Sequence, residues 1–207
     1  MKEISIDKRL VLKDLRRQRR FRLATDLIID VTNPAIIGKF ITLRDVDLEL
    51  DCQLAQLPLG LLQFVAQNVG IIEVWNRTSV YNPRTRIAHV RLIHLAQRTG
   101  VLHEEVLHLA DHLLGSLADP IIPKRMSQGY GINKKIQSIG EQIGILYASH
   151  SEFRVLSGSF NEREYFARAG RWYLLDADFL KEADPTIFEL LGDTIFCETF
   201  WMEVLES

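Results

Sequence analysis

Residues 101–114, VLHEEVLHLADHLL, constrain the fold most, because their apolar side chains recur at the three- and four-residue spacing of a helix. Gly115 follows at once and is a natural end for that helix. Short strand-like segments come before it, and helical patterns fill most of the chain after it. This order predicts an α+β protein: a small mixed sheet, a central helix that carries the site, and a C-terminal helical part.

The segments before this helix divide into expected strands and helices. Residues 8–22 carry eight lysines and arginines among leucines, which predicts a basic amphipathic helix. Its arginines either pair with the acidic segments that follow or contact nucleic acid or another anionic surface. A short helix ends at Gly70, and the period-two alternation of residues 86–95 predicts a half-buried strand. Further strands are expected at residues 24–31, 39–50 and 71–76, with a turn region at residues 76–85.

Three helices are expected in the second half of the chain. The first ends near Ile145, and Asn161 can cap the second, which carries EREYFARAGRWYLL. The third covers residues 184–205 and closes the chain. Its side chains Phe200 and Trp201 are expected to dock that helix on the core rather than to bind a ligand.

Composition limits the classes of function. The chain has 207 residues and a net charge of −2 at pH 7, so no overall field attracts it to nucleic acid or membranes. Cys52 and Cys197 have no CxxC partners, so a reducing compartment is favoured over the alternative of a single buried bridge. The N-terminus does not resemble a secretory signal, and no window reaches the ~20 apolar residues of a membrane span. We therefore expect a cytoplasmic protein, the alternative being one exported by a route that the sequence does not show.

The predicted helix at residues 101–114 contains candidate metal ligands. An HExxH helix supplies a zinc ion with two histidines one turn apart and places a glutamate beside the first as general base. His103 and His108 are five residues apart, so they diverge by about 140° around a regular helix and cannot both face one ion. His108 and His112 are four apart and could bind a metal, but Leu109 stands where the base belongs. The alternative is an ordinary helix whose histidines bond to their neighbours.

Two changes would restore a metal-binding geometry. In the first, Glu104 replaces the first histidine because it shares a helix face with His108, and Glu105 becomes the general base of an EExxH motif. In the second, a π-bulge turns His103 toward His108. We prefer the first change because it needs no irregular backbone. Zinc accepts carboxylate oxygen as a ligand, although the added charge changes the metal preference of the site, so Zn²⁺ is the candidate cofactor and a site without metal is the alternative.

A second motif lies in residues 161–191, NEREYFARAGRWYLLDADFLKEADPTIFELL. This segment resembles the C-terminal part of the anthrax lethal factor-like zinc metallopeptidases, the clan that includes the Pro-Pro endopeptidases. In that family a helix of the form Glu-x-Glu-aromatic-Phe-Ala follows the HExxH helix. A tyrosine or similar residue, a leucine-lysine step, and an aspartate or asparagine near a proline come later. The matching residues here are Glu162, Glu164, Tyr165, Phe166, Ala167, Tyr173, Leu180, Lys181, Asp184, Pro185 and Phe188.

The resemblance implies three metal ligands. The family's third zinc ligand falls on Glu164, and its HExxHxxD helix, laid on EEVLHLAD, places Glu104 and His108 at the first two ligand positions. The general base falls on Glu105 and the aspartate on Asp111. Taken without the resemblance, Glu164 is an acid that the helix dipole favours in a first turn, and Glu105 is a solvent-facing glutamate.

The resemblance also implies a zincin-like metallopeptidase fold in a single domain over residues 1–207. Residues 70–191 carry the likeness, and residues 1–69 add little to it. The strand predicted at residues 86–95 falls where such folds place the edge strand that binds an extended substrate.

Three positions depart from the family pattern. Glu104 replaces the first histidine, and Arg168 stands where an acidic residue is usual. The tyrosine that stabilises the oxyanion would fall near Ser157, where the sequence has none, and losing such a donor costs about 10²–10³ in rate. Tyr130 and Tyr147 are the candidates to replace it.

Two functions follow from these observations. One is a metal-dependent peptide hydrolase with an altered site, in which two carboxylates neutralise the ion and shift the optimum to higher pH. The other is a zincin-shaped protein without catalysis that keeps its groove and edge strand to bind a peptide or protein partner.

Overall fold

A computed structural model describes residues 6–115, 124–149 and 151–206. Within them the chain is α+β, with a four-stranded mixed sheet and eleven α-helices. The strands are β1 (Phe21–Leu23), β2 (Ile71–Trp75), β3 (Val80–Asn82) and β4 (Ile87–Arg91). The helices are α1 (Ile6–Arg17), α2 (Leu43–Leu54), α3 (Leu59–Gln67), α4 (Leu92–Gln97), α5 (Val101–Gly115), α6 (Lys134–Ala148), α7 (Glu152–Leu156), α8 (Glu162–Leu175), α9 (Ala177–Ala183), α10 (Pro185–Asp193) and α11 (Glu198–Glu206).

The sheet has the strand order β1-β2-β4-β3. β1 and β4 both run parallel to β2, whereas β3 pairs antiparallel with β4 and forms an edge of the sheet. The prediction of an edge strand at residues 86–95 is therefore wrong in two respects. β4 lies inside the sheet, and the chain turns helical at Leu92 because Leu92, Leu95 and Ala96 bury one face of α4. The edge strand is β3, which lies in the segment expected to be a turn region.

Two other predicted strands are absent from the described structure. Residues 24–31 form irregular backbone with short turns, and the side chain of Asp30 accepts the backbone N–H of Thr32 in place of a strand ladder. Residues 43–54 form helix α2, because Thr42 and Asp45 make a reciprocal capping box at its start. The apolar residues of α2 then meet the core at helical rather than strand spacing.

The basic N-terminal segment forms α1, as predicted, and then β1. Arg16 of α1 makes ion pairs with Asp47 and Asp51 of α2. Pairing with the acidic segment that follows was one of the two roles expected for these arginines. Cys52 and Cys197 are both free.

The last predicted helix is two helices. α10 ends at Asp193 and α11 begins at Glu198. The indole of Trp201 is fully buried, donates to the carbonyl of Ile195, and packs on Phe64 with ring centroids 5.3 Å apart. Trp201 therefore docks α11 on the core, as the sequence predicted. None of the helices within the described ranges is long and apolar enough to cross a membrane.

Helix α5 is the central element, because it packs against β4 on one side and α8 on another. Twelve of its fifteen residues are buried. Gly170 permits the contact with α8: a Cβ atom there would lie 2.2 Å from Cδ1 of Leu107. The close approach of α5 and α8 brings together the two motifs that the sequence singled out.

Candidate metal centre

Glu104, His108 and Glu164 form one cluster in which a ligand atom of each lies within 4.8 Å of the others. Nε2 of His108 is 3.7 Å from Oε1 of Glu164, and all three side chains are mostly buried. Within the described part of the chain, no other group of three histidine, cysteine or acidic side chains is placed to hold a metal ion. The sequence prediction that these three residues meet in space agrees with the structure.

Local structure explains why the three side chains converge. Glu104 and His108 are one turn apart on α5, which is a regular α-helix from end to end, so both face α8. Glu164 lies in the first turn of α8, where the side chain of Asn161 accepts its backbone N–H at 3.0 Å. The cap was predicted, and it fixes the point at which α8 starts and thus the height of Glu164 beside α5.

Two arginines already neutralise the carboxylates of this cluster. Nη2 of Arg168 lies 3.2 Å from Oε2 of Glu164, and its Nε lies 3.6 Å from Oε1 of Glu104. Nη1 of Arg171 donates to Oε2 of Glu104 at 2.9 Å. Since Glu164, Arg168 and Arg171 are spaced i, i+4 and i+7, they share one face of α8.

The imidazole of His108 is neutral at physiological pH. Burial lowers its pKa to about 3, and the positive charge of Arg125 is the next cause. The 3.7 Å contact with Glu164 is therefore not an ion pair, and the ring can offer a lone pair to a cation. A donor set of two carboxylates and one neutral imidazole fits a divalent ion such as Zn²⁺.

Glu105 lies next to the cluster and is 8% exposed. The pKa of its carboxyl is raised to about 8, chiefly by burial and then by the charges of Glu104 and Glu164, whereas a hydrogen bond from the backbone of Tyr81 opposes the shift. The solvent-facing glutamate expected in the absence of a site is therefore not what the structure shows. A buried carboxyl that lines a cleft and titrates near neutral pH can exchange a proton with a ligand.

The cluster opens into a cleft of about 250 Å³ beside the edge strand. Among the described residues β3 pairs with β4 alone, and Ser79, Val80 and Tyr81 at this edge of the sheet line the cleft. Such an edge can pair with an extended peptide. The residues that line the cleft are Ser79, Val80, Tyr81, Glu104, Glu105, His108, Arg125, Arg163 and Glu164.

The alternative ligands His103 and His112 lie outside the cluster. His103 is 2% exposed and its Nε2 bonds to the carbonyl of Gln53 on α2, so it faces away from His108. The π-bulge that would turn it inward is absent, because α5 is α-helical throughout. His112 bonds through Nδ1 to the hydroxyl of Tyr81. The carboxylate-for-histidine geometry is thus the arrangement that the structure presents.

The predicted substitutes for the oxyanion tyrosine do not line the cleft. The ring of Tyr147 stacks under the guanidinium of Arg154, and Tyr130 is 46% exposed. At the expected position, the carbonyl of Ser157 accepts a hydrogen bond from Arg168. Tyr81 does line the cleft, but His112 engages its hydroxyl.

Asp111, on which the aspartate of the family's HExxHxxD helix falls, is fully buried. It accepts hydrogen bonds from the backbone N–H and the hydroxyl of Ser127 at 2.7 and 2.8 Å. Burial raises the pKa of its carboxyl to about 6. Asp111 therefore holds the segment after residue 123 against α5 and does not line the cleft.

Sequence reasoning missed four residues of the site: Tyr81, Arg125, Arg163 and Arg171. Arg171 had a signal, because its spacing from Glu164 puts both on one helix face. Tyr81 and Arg125 had none, since the topology of β3 and of the segment after α5 decides their position, and Arg163 could have been noticed only as the neighbour of Glu164 in the first turn of α8.

No protein-family model matches the chain, and no curated protein and no solved structure matches it. The site is therefore interpreted from its own residues.

Proposed function

We propose that this chain is a zincin-like protein that hydrolyses peptides with a divalent metal ion, Zn²⁺ being the candidate. The convergence of Glu104, His108 and Glu164 beside Glu105 is the observation that carries the proposal. A cation held by these three side chains would polarise a carbonyl oxygen and make a water molecule more acidic.

The residues of the chain supply positioning and proton transfer. β3 would pair with the backbone of an extended peptide and lay it along the cleft. Glu105 would accept a proton from the attacking water and deliver it to the leaving amine. Its closeness to Glu104 and Glu164 makes its ionised form costly, so a positive charge in the cluster would favour the base form.

The second candidate is a protein that binds a peptide in the same cleft without cleaving it. The ion pairs of Arg168 and Arg171 favour this candidate, because they neutralise the two carboxylates that a metal ion would need. In that case the edge strand and the cleft keep their role, and the cluster is structural. A cytoplasmic location belongs to both candidates and is supported by the two free cysteines.

Metal analysis of the purified protein tests the first candidate. We expect about one Zn²⁺ or another divalent ion per chain, lost in His108→Ala and in Glu164→Ala. Glu162→Ala is the matched control, because Glu162 lies on the same first turn of α8 and outside the cluster.

Cleavage of a peptide library tests the reaction itself. Glu105→Gln should keep the metal and abolish cleavage, because the amide cannot accept a proton. A chain that holds no divalent ion and cleaves no peptide would refute the first candidate, and peptide binding would then support the second.

A further inference from the structure

Arg125 is a buried cation on the wall of the cleft. The residue is 4% exposed. Its Nη1 donates to the carbonyl of His108 at 2.8 Å, and its guanidinium lies 5.0 Å from the ring centre of Tyr81. Its Nε is buried and has no hydrogen-bond partner among the described residues. A buried charge with an unused donor is costly unless a ligand completes it.

Arg163 is the second cation of this wall. It lines the cleft from the first turn of α8 and makes no ion pair or hydrogen bond within the described ranges. Both arginines line the same cleft as His108.

The acidic side chains near these arginines have other partners. Arg168 and Arg171 neutralise Glu104 and Glu164, and Ser127 occupies both carboxylate oxygens of Asp111. Asp111 keeps its charge and attracts both arginines, but Ser127 occupies its oxygens, so neither guanidinium forms a salt bridge with a carboxylate of the described residues.

We propose that Arg125 and Arg163 form a subsite for a carboxylate of the bound peptide. The inference rests on the proposed function, since it assumes that a peptide occupies the cleft. Two sources offer this group: the C-terminal carboxylate of a peptide and an acidic side chain within it. The nearness of β3 means that a peptide paired with the edge strand would present its groups to these guanidinium ions.

Four short peptides test the subsite and separate the two sources. They are acetyl-trialanine with a free C-terminus, acetyl-trialanine amide, acetyl-Ala-Glu-Ala amide and acetyl-Ala-Gln-Ala amide. Binding is measured by calorimetry in the presence of a chelator, so that no peptide carboxylate can bind a metal ion. We expect a carboxylate peptide to bind about tenfold more tightly than its amide counterpart, as charge-assisted hydrogen bonds allow. The pair that shows the difference identifies the source.

Variants and a small anion assign the effect to the two arginines. Arg163→Gln should remove the tenfold difference, whereas Arg17→Gln, on an exposed face of α1, should keep it. Acetate, with acetamide as control, should shift the Nε–H resonance of Arg125 in the labelled wild-type protein, which needs no variant at that buried position.

The outcomes separate this subsite from the proposed function. Equal binding of carboxylate and amide peptides, with no acetate-induced shift, overturns the subsite. A difference that persists in Arg163→Gln also overturns it. An acetate shift that depends on Arg163, without binding of any peptide, would support the anion subsite while refuting peptide binding in the cleft.

Discussion

Replacing Arg168 by glutamine should strengthen the binding of a divalent cation to the cluster. The guanidinium lies 3.2 Å from Glu164 and 3.6 Å from Glu104, so it competes with a metal ion for both carboxylates. Arg168→Gln removes this competing charge and leaves all three candidate ligands in place.

The magnitude follows from distance and solvent exposure. A zinc ion about 2 Å from the oxygen of Glu164 would lie within roughly 5 Å of the guanidinium. Coulomb's law gives about 7 kcal/mol of repulsion between a double and a single charge at an effective dielectric constant of ~20, and about 1.7 kcal/mol in water. The Arg168 side chain is 26% exposed, which brings the value toward the lower end. We take about 2 kcal/mol, which is about a thirtyfold tighter Kd.

Titration with Co²⁺ measures this prediction, because the visible spectrum of the ion reports its ligands as well as its affinity. Arg168→Lys is the matched control, since it keeps the positive charge and should bind within about threefold of the wild type. Arg168→Gln also loses the bond to the carbonyl of Ser157, which should cost about 1 kcal/mol of stability. Equal Co²⁺ affinity in the wild type and in Arg168→Gln would refute the reasoning, and so would an Arg168→Lys variant that binds Co²⁺ as tightly as Arg168→Gln.

Three further predictions concern stability. The pKa of Glu105 is raised from its ordinary 4.5 to about 8, so the folded chain holds a proton that the unfolded chain releases between those values. The free energy of unfolding should fall by up to about 1.4 kcal/mol per pH unit as the pH rises from 6.5 to 8. Glu105→Gln should flatten this pH dependence in denaturant titrations. A variant with the same pH dependence as the wild type would count against a buried carboxyl at this position. Gly170→Ala should cost about 1–3 kcal/mol and weaken cation binding, because the new Cβ meets Leu107 and pushes α8 from α5; calorimetric melting measures the cost, and a wild-type melting temperature would contradict it. Ser127→Ala should cost about 1–3 kcal/mol because it removes a donor to the fully buried Asp111, and a loss below 0.5 kcal/mol in urea unfolding would show that this bond is dispensable.

The helices that form the site could be predicted from the sequence because their signals are local. The apolar spacing of residues 101–114 and the cap at Asn161 each fix one helix, and both helices appear with those starts and faces. Once both are helices, the one-turn spacing of Glu104 and His108 sets their common direction. Their meeting with Glu164 needed the family likeness as well, since nothing local to either helix specifies its partner.

The remainder depended on contacts between distant parts of the chain. β3 has three residues and lies in a stretch rich in turn formers, so its strand conformation comes from pairing with β4. The apolar residues within the segment 43–54 also fit a strand, but the capping box at Thr42 starts a helix there. Arg125 reaches the cleft because the segment after residue 123 returns to α5, which no local pattern in the sequence shows.

A hydrogen bond joins the edge strand to the helix beneath the cleft. The hydroxyl of Tyr81 on β3 meets Nδ1 of His112 on α5. This bond holds the sheet edge and the helix at a fixed separation. A peptide that enters the cleft under the proposed function would therefore meet a cleft whose width is already set. Because this wall is already ordered, binding would cost little conformational entropy there. The cleft would then select ligands by their fit to its fixed width and not by their ability to widen it.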